Sequence, residues 1–208
     1  VNFMPISIQD AISALFNTAV TGGKRTSTTR LDVLAEFCVQ ELEKRGLLNV
    51  ETEVSVPGAG RTKQWDVAWK HEGKYRLAIS LKSILRNISG TVPNRIDDMM
   101  GEVSNAQLYS PEIVIGYIMI FNTAEDSYSK KHGMTWLNLL QSRLQALSGR
   151  KPPSWTTGTI EAYLIEEVDF SQAPNPNLKP NVESLSRQDA FFDTLVAQVR
   201  SRNPGAVP

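Results

Sequence analysis

The chain has 208 residues, 41% apolar and 21% charged, with 22 basic and 22 acidic side chains in balance. That composition suits a globular domain with ample length for a core, and it excludes a global basic field of the kind that announces nucleic acid. One cysteine, Cys38, excludes an internal disulfide, and with two isolated histidines a Cys/His zinc site is not expected.

No apolar run approaches the roughly 20 residues of a spanning helix, and no basic-then-apolar leader is present, so a reducing cytoplasm is the expected compartment and no membrane is expected as a partner. Thr29-Arg30-Leu31-Asp32 has capping-box form, with Asp for the usual Glu, and predicts a helix. Its stripe is Leu31, Leu34, Cys38 and Leu42, and Gly46 closes it. Val50 to Val56 alternates as a strand, and Pro57-Gly58-Ala59-Gly60 turns the chain. Gln64–Trp69 and Tyr75–Lys82 alternate in the same way around the turn His71-Glu72-Gly73, which predicts a hairpin. A polar loop, Asn87 to Asn94, leads to an amphipathic helix, Arg95–Tyr109, carrying Ile96, Met99, Met100 and Val103. Ile113–Phe121 reads as a strand buried on both faces, Trp136–Leu147 as a helix, and Thr159–Val168 as a strand. After a connector, Ala173–Asn181, Ser186-Arg187-Gln188-Asp189 caps a last helix to about residue 201, packed by Phe192, Leu195 and Val199. The order predicts one α/β domain over residues 1–208, a sandwich with a mixed central sheet flanked by helices.

The hairpin carries the chemistry. Trp65, Val67 and Trp69 form one face of its first strand, and Tyr75, Leu77, Ile79 and Leu81 one face of its second. If those faces share a core, Asp66, Ser80 and Lys82 project together from the other side. A loop of about three residues sets Asp66 opposite Ala78, with Ser80 diagonal to it. Phosphodiester hydrolysis needs a metal to polarise the phosphate and acidify a water, and a cation for charge developing in the transition state. Asp66 is a hard oxygen ligand of the kind Mg²⁺ prefers, and the Leu81 main-chain carbonyl is a second. Lys82 is positioned to stabilise the attacking hydroxide. Ser80, with no histidine nearby to activate it, is a small polar spacer that cannot supply an acid's charge. The following helix supplies the missing acid: Asp98 and Glu102 stand four residues apart on one side of it. Glu102, beside Ala106 and nearer the buried edge, is preferred, with Asp98 its rival. Cys38 is expected in the core, and neither His71 nor His132 as a ligand.

Asp66, a hairpin and Ser80-Leu81-Lys82 resemble the PD-(D/E)xK nuclease superfamily, whose core runs helix, three strands, helix, strand. The segment from about residue 30 to 121 follows that order. Ser in place of the acid resembles a subgroup of type II restriction enzymes that use Ser-x-Lys and take their second acid from the following helix. Trp65 stands where the motif name has Pro, and Glu102 lies further from Lys82 than the second acid does in that subgroup. Ala35-Glu36 is similar to a helical glutamate that often precedes the core, which keeps Glu36 as a third candidate acid. The resemblance implies a restriction-endonuclease-like fold with Asp66 and Glu102 as ligands of Mg²⁺, or of Mn²⁺ in its place, and Lys82 as the catalytic lysine. It also implies a homodimer that cuts double-stranded DNA in a sequence-specific way, leaving a 5′-phosphate. Arg61, Lys63, Arg86 and Arg95 bracket the site and are expected to track phosphates, with Asn94 near base edges. Two other readings stay open: an inactive nuclease-fold module for DNA binding or scaffolding, and a structure-specific repair or recombination nuclease.

Overall fold

A computed structural model describes residues 4–22, 28–171, 177–178 and 182–205. Helix α1, Ile8–Phe16, runs on into a π-helical turn, Asn17–Thr21, and a 3₁₀ turn, Thr28–Leu31, precedes α2, Asp32–Glu43. Strands β1 (Glu51–Val56), β2 (Lys63–His71) and β3 (Lys74–Ile84) follow, then α3 (Ile88–Tyr109) and β4 (Val114–Asn122). A small hairpin of β5 (Tyr128–Ser129) and β6 (Met134–Thr135) leads to α4 (Trp136–Ala146). The chain continues with β7 (Ala162–Asp169), the two-residue β8 (Asn177–Leu178) and α5 (Val182–Arg202).

The predicted α/β architecture with a mixed central sheet is present. Its five main strands lie in the order β1-β2-β3-β4-β7, with β8 lengthening the last edge. β1, β2 and β3 are antiparallel, whereas β3, β4 and β7 are parallel. Parallel neighbours need crossovers, and α3 and α4 supply them. One core lies between the sheet and α1, α2 and α5, where Leu34, Phe37 and Cys38 meet Leu77, Ile79 and Phe192. The other lies under α3 and α4, where Val92, Met99 and Val103 meet Ile115 and Met119. β4 is buried along its whole length, as its unbroken apolar run predicts. Gly116 in β4 lets α5 approach closely, because a Cβ there would stand 2.8 Å from Leu195 and Phe191 side chains.

Several expectations need correcting. The hairpin loop has two residues, Glu72 and Gly73, both at positive φ (49° and 76°), the pattern of a type I′ turn. A two-residue loop alone would set Asp66 and Ser80 on opposite faces. A bulge between Trp69 and Lys70 inserts Arg76 and restores the pairing Val67↔Ile79, so Asp66 comes level with Ser80 and not with Ala78. Trp65 leaves the face of Val67 and Trp69 and joins the opposite core, edge-on to Tyr117 with ring centroids 6.3 Å apart. α2 opens differently from the Thr29–Asp32 expectation: the 3₁₀ turn Thr28–Leu31 precedes it, and its N-cap is Leu31, which makes no side-chain cap bond. Residues 88–94 are helix, not loop, despite Pro93, because Ile88 and Val92 bury their side chains and hold the first turns down. Met100 faces solvent at 42% exposure while Met99 is buried. α5 begins before Ser186, and Asp189 pairs with Arg45 at 2.7 Å instead of closing a capping box. α1, opened by a capping box between Ser7 and Asp10, is an addition to the predicted order. Of the predicted connector Ala173–Asn181, only Asn177 and Leu178 lie within the described residues. Among the described residues no helix is long and apolar enough to cross a membrane.

Candidate active site

Backbone pairing of β2 with β3 reaches Val67↔Ile79, and a side chain then takes over the ladder. Asp66 Oδ2 accepts the Leu81 amide at 2.7 Å and the Ser80 hydroxyl at 3.3 Å. Asp66 therefore does the work of a backbone carbonyl, which fixes its carboxylate against β3. Lys82 follows on the polar face of β3, with Nζ 3.6 Å from Glu102 Oε2.

Glu102 arrives from above. Asn105, one turn further along α3, clamps the loop between β1 and β2: its Oδ1 accepts the Gly60 amide at 2.8 Å and its Nδ2 donates to Arg61 O at 2.8 Å. With α3 anchored there, Glu102 points down to the sheet. Lys63 Nζ lies 3.1 Å from its Oε1, and the Tyr117 hydroxyl donates to its Oε2 at 2.9 Å. Tyr117 is opposite Ser80 in the β3–β4 register, so β2, β3, β4 and α3 each contribute to one cluster. Asp98 stays outside it, 57% exposed and 3.6 Å from Arg95. Glu36 is exposed on α2.

The two carboxylates have opposite electrostatic characters. Burial pushes Asp66 above the ordinary aspartate value; the Leu81 amide, Lys82 and Ser80 pull it down, and Glu102's charge adds to the rise. Burial also works against Glu102, but Lys82, Tyr117 and Lys63 together outweigh it and hold its carboxyl below the ordinary glutamate value. Tyr117 is pushed well up by burial and by the Glu102 charge, so it remains a donor.

The structure thus joins Asp66 to Ser80 and the Leu81 amide and Lys82 to Glu102, and the charges of that pair act on Asp66. Lys63, predicted to track phosphates, is bound into the cluster as a second cation. Arg61 and Asn94 are exposed, whereas Arg86 and Arg95 line a separate cleft. His71 stacks on Trp69 and His132 meets Trp136 edge-on, and neither joins the carboxylates. Cys38 is buried in the core, as expected. Sequence reasoning missed Tyr117, although a tyrosine within an apolar, doubly buried strand signals a hydroxyl that needs a partner.

The donor set suits a hard cation. Mg²⁺ takes one or two carboxylates and keeps several waters, and two carboxylates are what this cluster offers. Asp66 Oδ1 accepts no hydrogen bond among the described residues. Among those residues no group of three His, Cys, Asp or Glu side chains converges, so a denser all-protein cage is not formed. In comparisons with known proteins, no family model and no curated protein matches the chain significantly.

Proposed function

We propose that the chain is a Mg²⁺-dependent DNA endonuclease of the restriction-endonuclease-like kind, acting as a cytoplasmic homodimer. The observation that carries this reading is the Lys82–Glu102 pair, from β3 and the helix that follows it, within electrostatic reach of the Asp66 carboxylate that β2 holds against β3. Asp66, Glu102 and the Leu81 carbonyl would hold the metal, with Mn²⁺ as a substitute. Bound there, the ion would polarise the scissile phosphate and lower the pKa of a water. Lys82 supplies the positive charge that stabilises hydroxide and the charge developing on the phosphate. Lys63 reinforces it from β2. Tyr117 donates to Oε2, the Glu102 oxygen that faces Lys82, and so fixes the carboxylate with Oε1 toward Lys63.

Plasmid cleavage with Mg²⁺ tests the proposal. Lys82→Ala and Asp66→Ala should fold normally and lose cutting; full activity in either removes the assignment. Discrete bands from a plasmid of known sequence support a sequence-specific enzyme, while a smear or branch-dependent cutting supports a repair or recombination nuclease.

A second reading has its own support. Glu102 is already held by two lysines and a tyrosine, and Ser80 stands where an acid would add charge. Both features suit a nuclease-like fold that binds DNA or scaffolds without cutting. Calorimetry separates the two, because the inactive module should take up neither Mg²⁺ nor Mn²⁺ at Asp66.

A further inference from the structure

A cavity of about 460 Å³ opens at the carboxyl ends of the parallel strands β3, β4 and β7. Ligands of open α/β sheets gather at such strand ends, because the loops there diverge and leave a crevice. Here the crevice is pinned by one side chain. Asn122 at the end of β4 donates to Leu85 O at 3.0 Å, and its Oδ1 accepts the Ala124 amide at 3.1 Å and the Phe170 amide at 3.2 Å. Those bonds tie together the segments that leave all three strands, so the floor is preorganised.

The walls are basic. Arg30 precedes α2, Arg86 follows β3 and Arg95 lies on α3, and all three line the cavity; Glu125 is the carboxylate on its lining, and Asp98 stands 3.6 Å from Arg95. In a chain with equal numbers of acids and bases, three guanidiniums with Glu125 on the lining and Asp98 beside Arg95 still leave a local excess of positive charge. Arg30 and Arg95 also oppose each other: burial first, and then the Arg95 charge, lower the proton affinity of Arg30. Ser83, at the base, adds a hydroxyl donor.

We propose that this cleft is a phosphate-binding site, with Arg30, Arg86 and Arg95 as its anion ligands. Guanidinium forks match phosphate oxygens in pairs, which makes three of them a phosphate site more readily than a carboxylate site. Ser83, one residue beyond Lys82 on β3, lines the cleft, so the cleft continues along the strand that carries the candidate active site. The phosphate is either free, as in a nucleotide, or carried by a strand leaving that site. The proposal stands on the cleft alone and does not require that the chain cuts DNA.

Binding measured in EDTA tests it apart from cleavage. The probes are inorganic phosphate, followed by thermal shift, and a short DNA duplex with and without 5′-phosphates, followed by fluorescence anisotropy. Stabilisation by inorganic phosphate identifies a free-phosphate site; preference for duplex identifies a strand contact. In either case Arg86→Gln, an exposed position that leaves packing intact, should weaken binding at least fivefold, and Arg95→Gln at least tenfold. Glu125→Gln should tighten it two- to fivefold by removing the opposing charge on the cavity lining. The proposal is overturned if neither probe binds, or if all three variants stay within twofold of the parent. A protein that binds phosphate this way and never cuts DNA refutes the nuclease reading and leaves the cleft standing.

Discussion

Asp66→Asn separates a structural role for this carboxylate from a functional one, because the two roles predict opposite changes in stability. Both bonds to Asp66 arrive at one oxygen, from the Leu81 amide and the Ser80 hydroxyl, and an amide oxygen can accept both. Exchanging a charged acceptor for a neutral one costs about 1 kcal/mol. Against that stands the desolvation of a buried carboxylate, an effective penalty of several kcal/mol per ion. Burial is the dominant cause of the raised Asp66 value, ahead of the Leu81 and Lys82 contributions, so the balance favours the amide. The sign follows by linkage. A group whose folded value is raised favours the fold below its unfolded value, and that contribution is lost as pH rises through the folded value. The variant should therefore match the parent in acid and exceed it at neutral pH, by on the order of 1 kcal/mol or about 2–4 °C in Tm for a chain of this size. In the same protein Mg²⁺-dependent cutting should fall on the order of 10³-fold, the rate equivalent of losing several kcal/mol of metal-borne stabilisation. Urea unfolding at several pH values and a plasmid assay on one preparation give both readouts. An Asp66→Asn protein that is less stable at neutral pH, or that cuts at the parental rate, refutes the reasoning.

Other outcomes are equally specific. Glu102→Ala should cripple cleavage and Asp98→Ala should leave it intact, since Asp98 is 57% exposed and pairs with Arg95, outside the cluster; the reverse result in the plasmid assay moves the second acid. Glu102, held below the ordinary glutamate value, contributes stability that is present above that value and lost as pH falls through the folded one. Acid unfolding of Glu102→Gln should accordingly show a shallower loss than the parent below the ordinary glutamate range. Away from the site, Glu161 is fully buried between Arg150 at 3.1 Å and Arg202 at 2.8 Å. Removing one partner of such a set costs about 3–5 kcal/mol, so Glu161→Ala should lower Tm by roughly 6–20 °C in calorimetry.

What the sequence made legible follows the range of the interactions involved. Asp66, Ser80 and Lys82 share a site because a strand repeats every two residues and a hairpin joins neighbours, so parity alone brings them together. Even there the reasoning reached the right face through a wrong register. A loop read as three residues gave the parity that a two-residue turn and the bulge at Arg76 supply together. Glu102 was reachable through the helix period but only to within one turn, because Asp98 lies on the same side. The choice is made by Asn105 gripping Gly60 and Arg61, a contact across more than forty residues that no local pattern encodes. Met100 failed for the same reason: its stripe allows several rotations, and the long helix starting at Ile88 settles on the one that buries Met99.

Tyr117 and Arg30 were out of reach on this argument. Tyr117 meets Glu102 only because a parallel crossover sets β4 beside β3 with Ser80 against Tyr117. Arg30 shares a cavity with Arg95 only because the turn before α2 lies by the same strand ends as α3. Both contacts exist only after the sheet order is set. The side chains that a local pattern reveals are accordingly the proposed metal ligands and lysine, which neighbouring strands must present together. The groups that hold those residues, or that would grip a phosphate beside them, come from remote segments and are fixed by topology. Variation at Tyr117 or Arg30 should therefore alter how the cluster is oriented or what it binds while Asp66 and Lys82 stay in register.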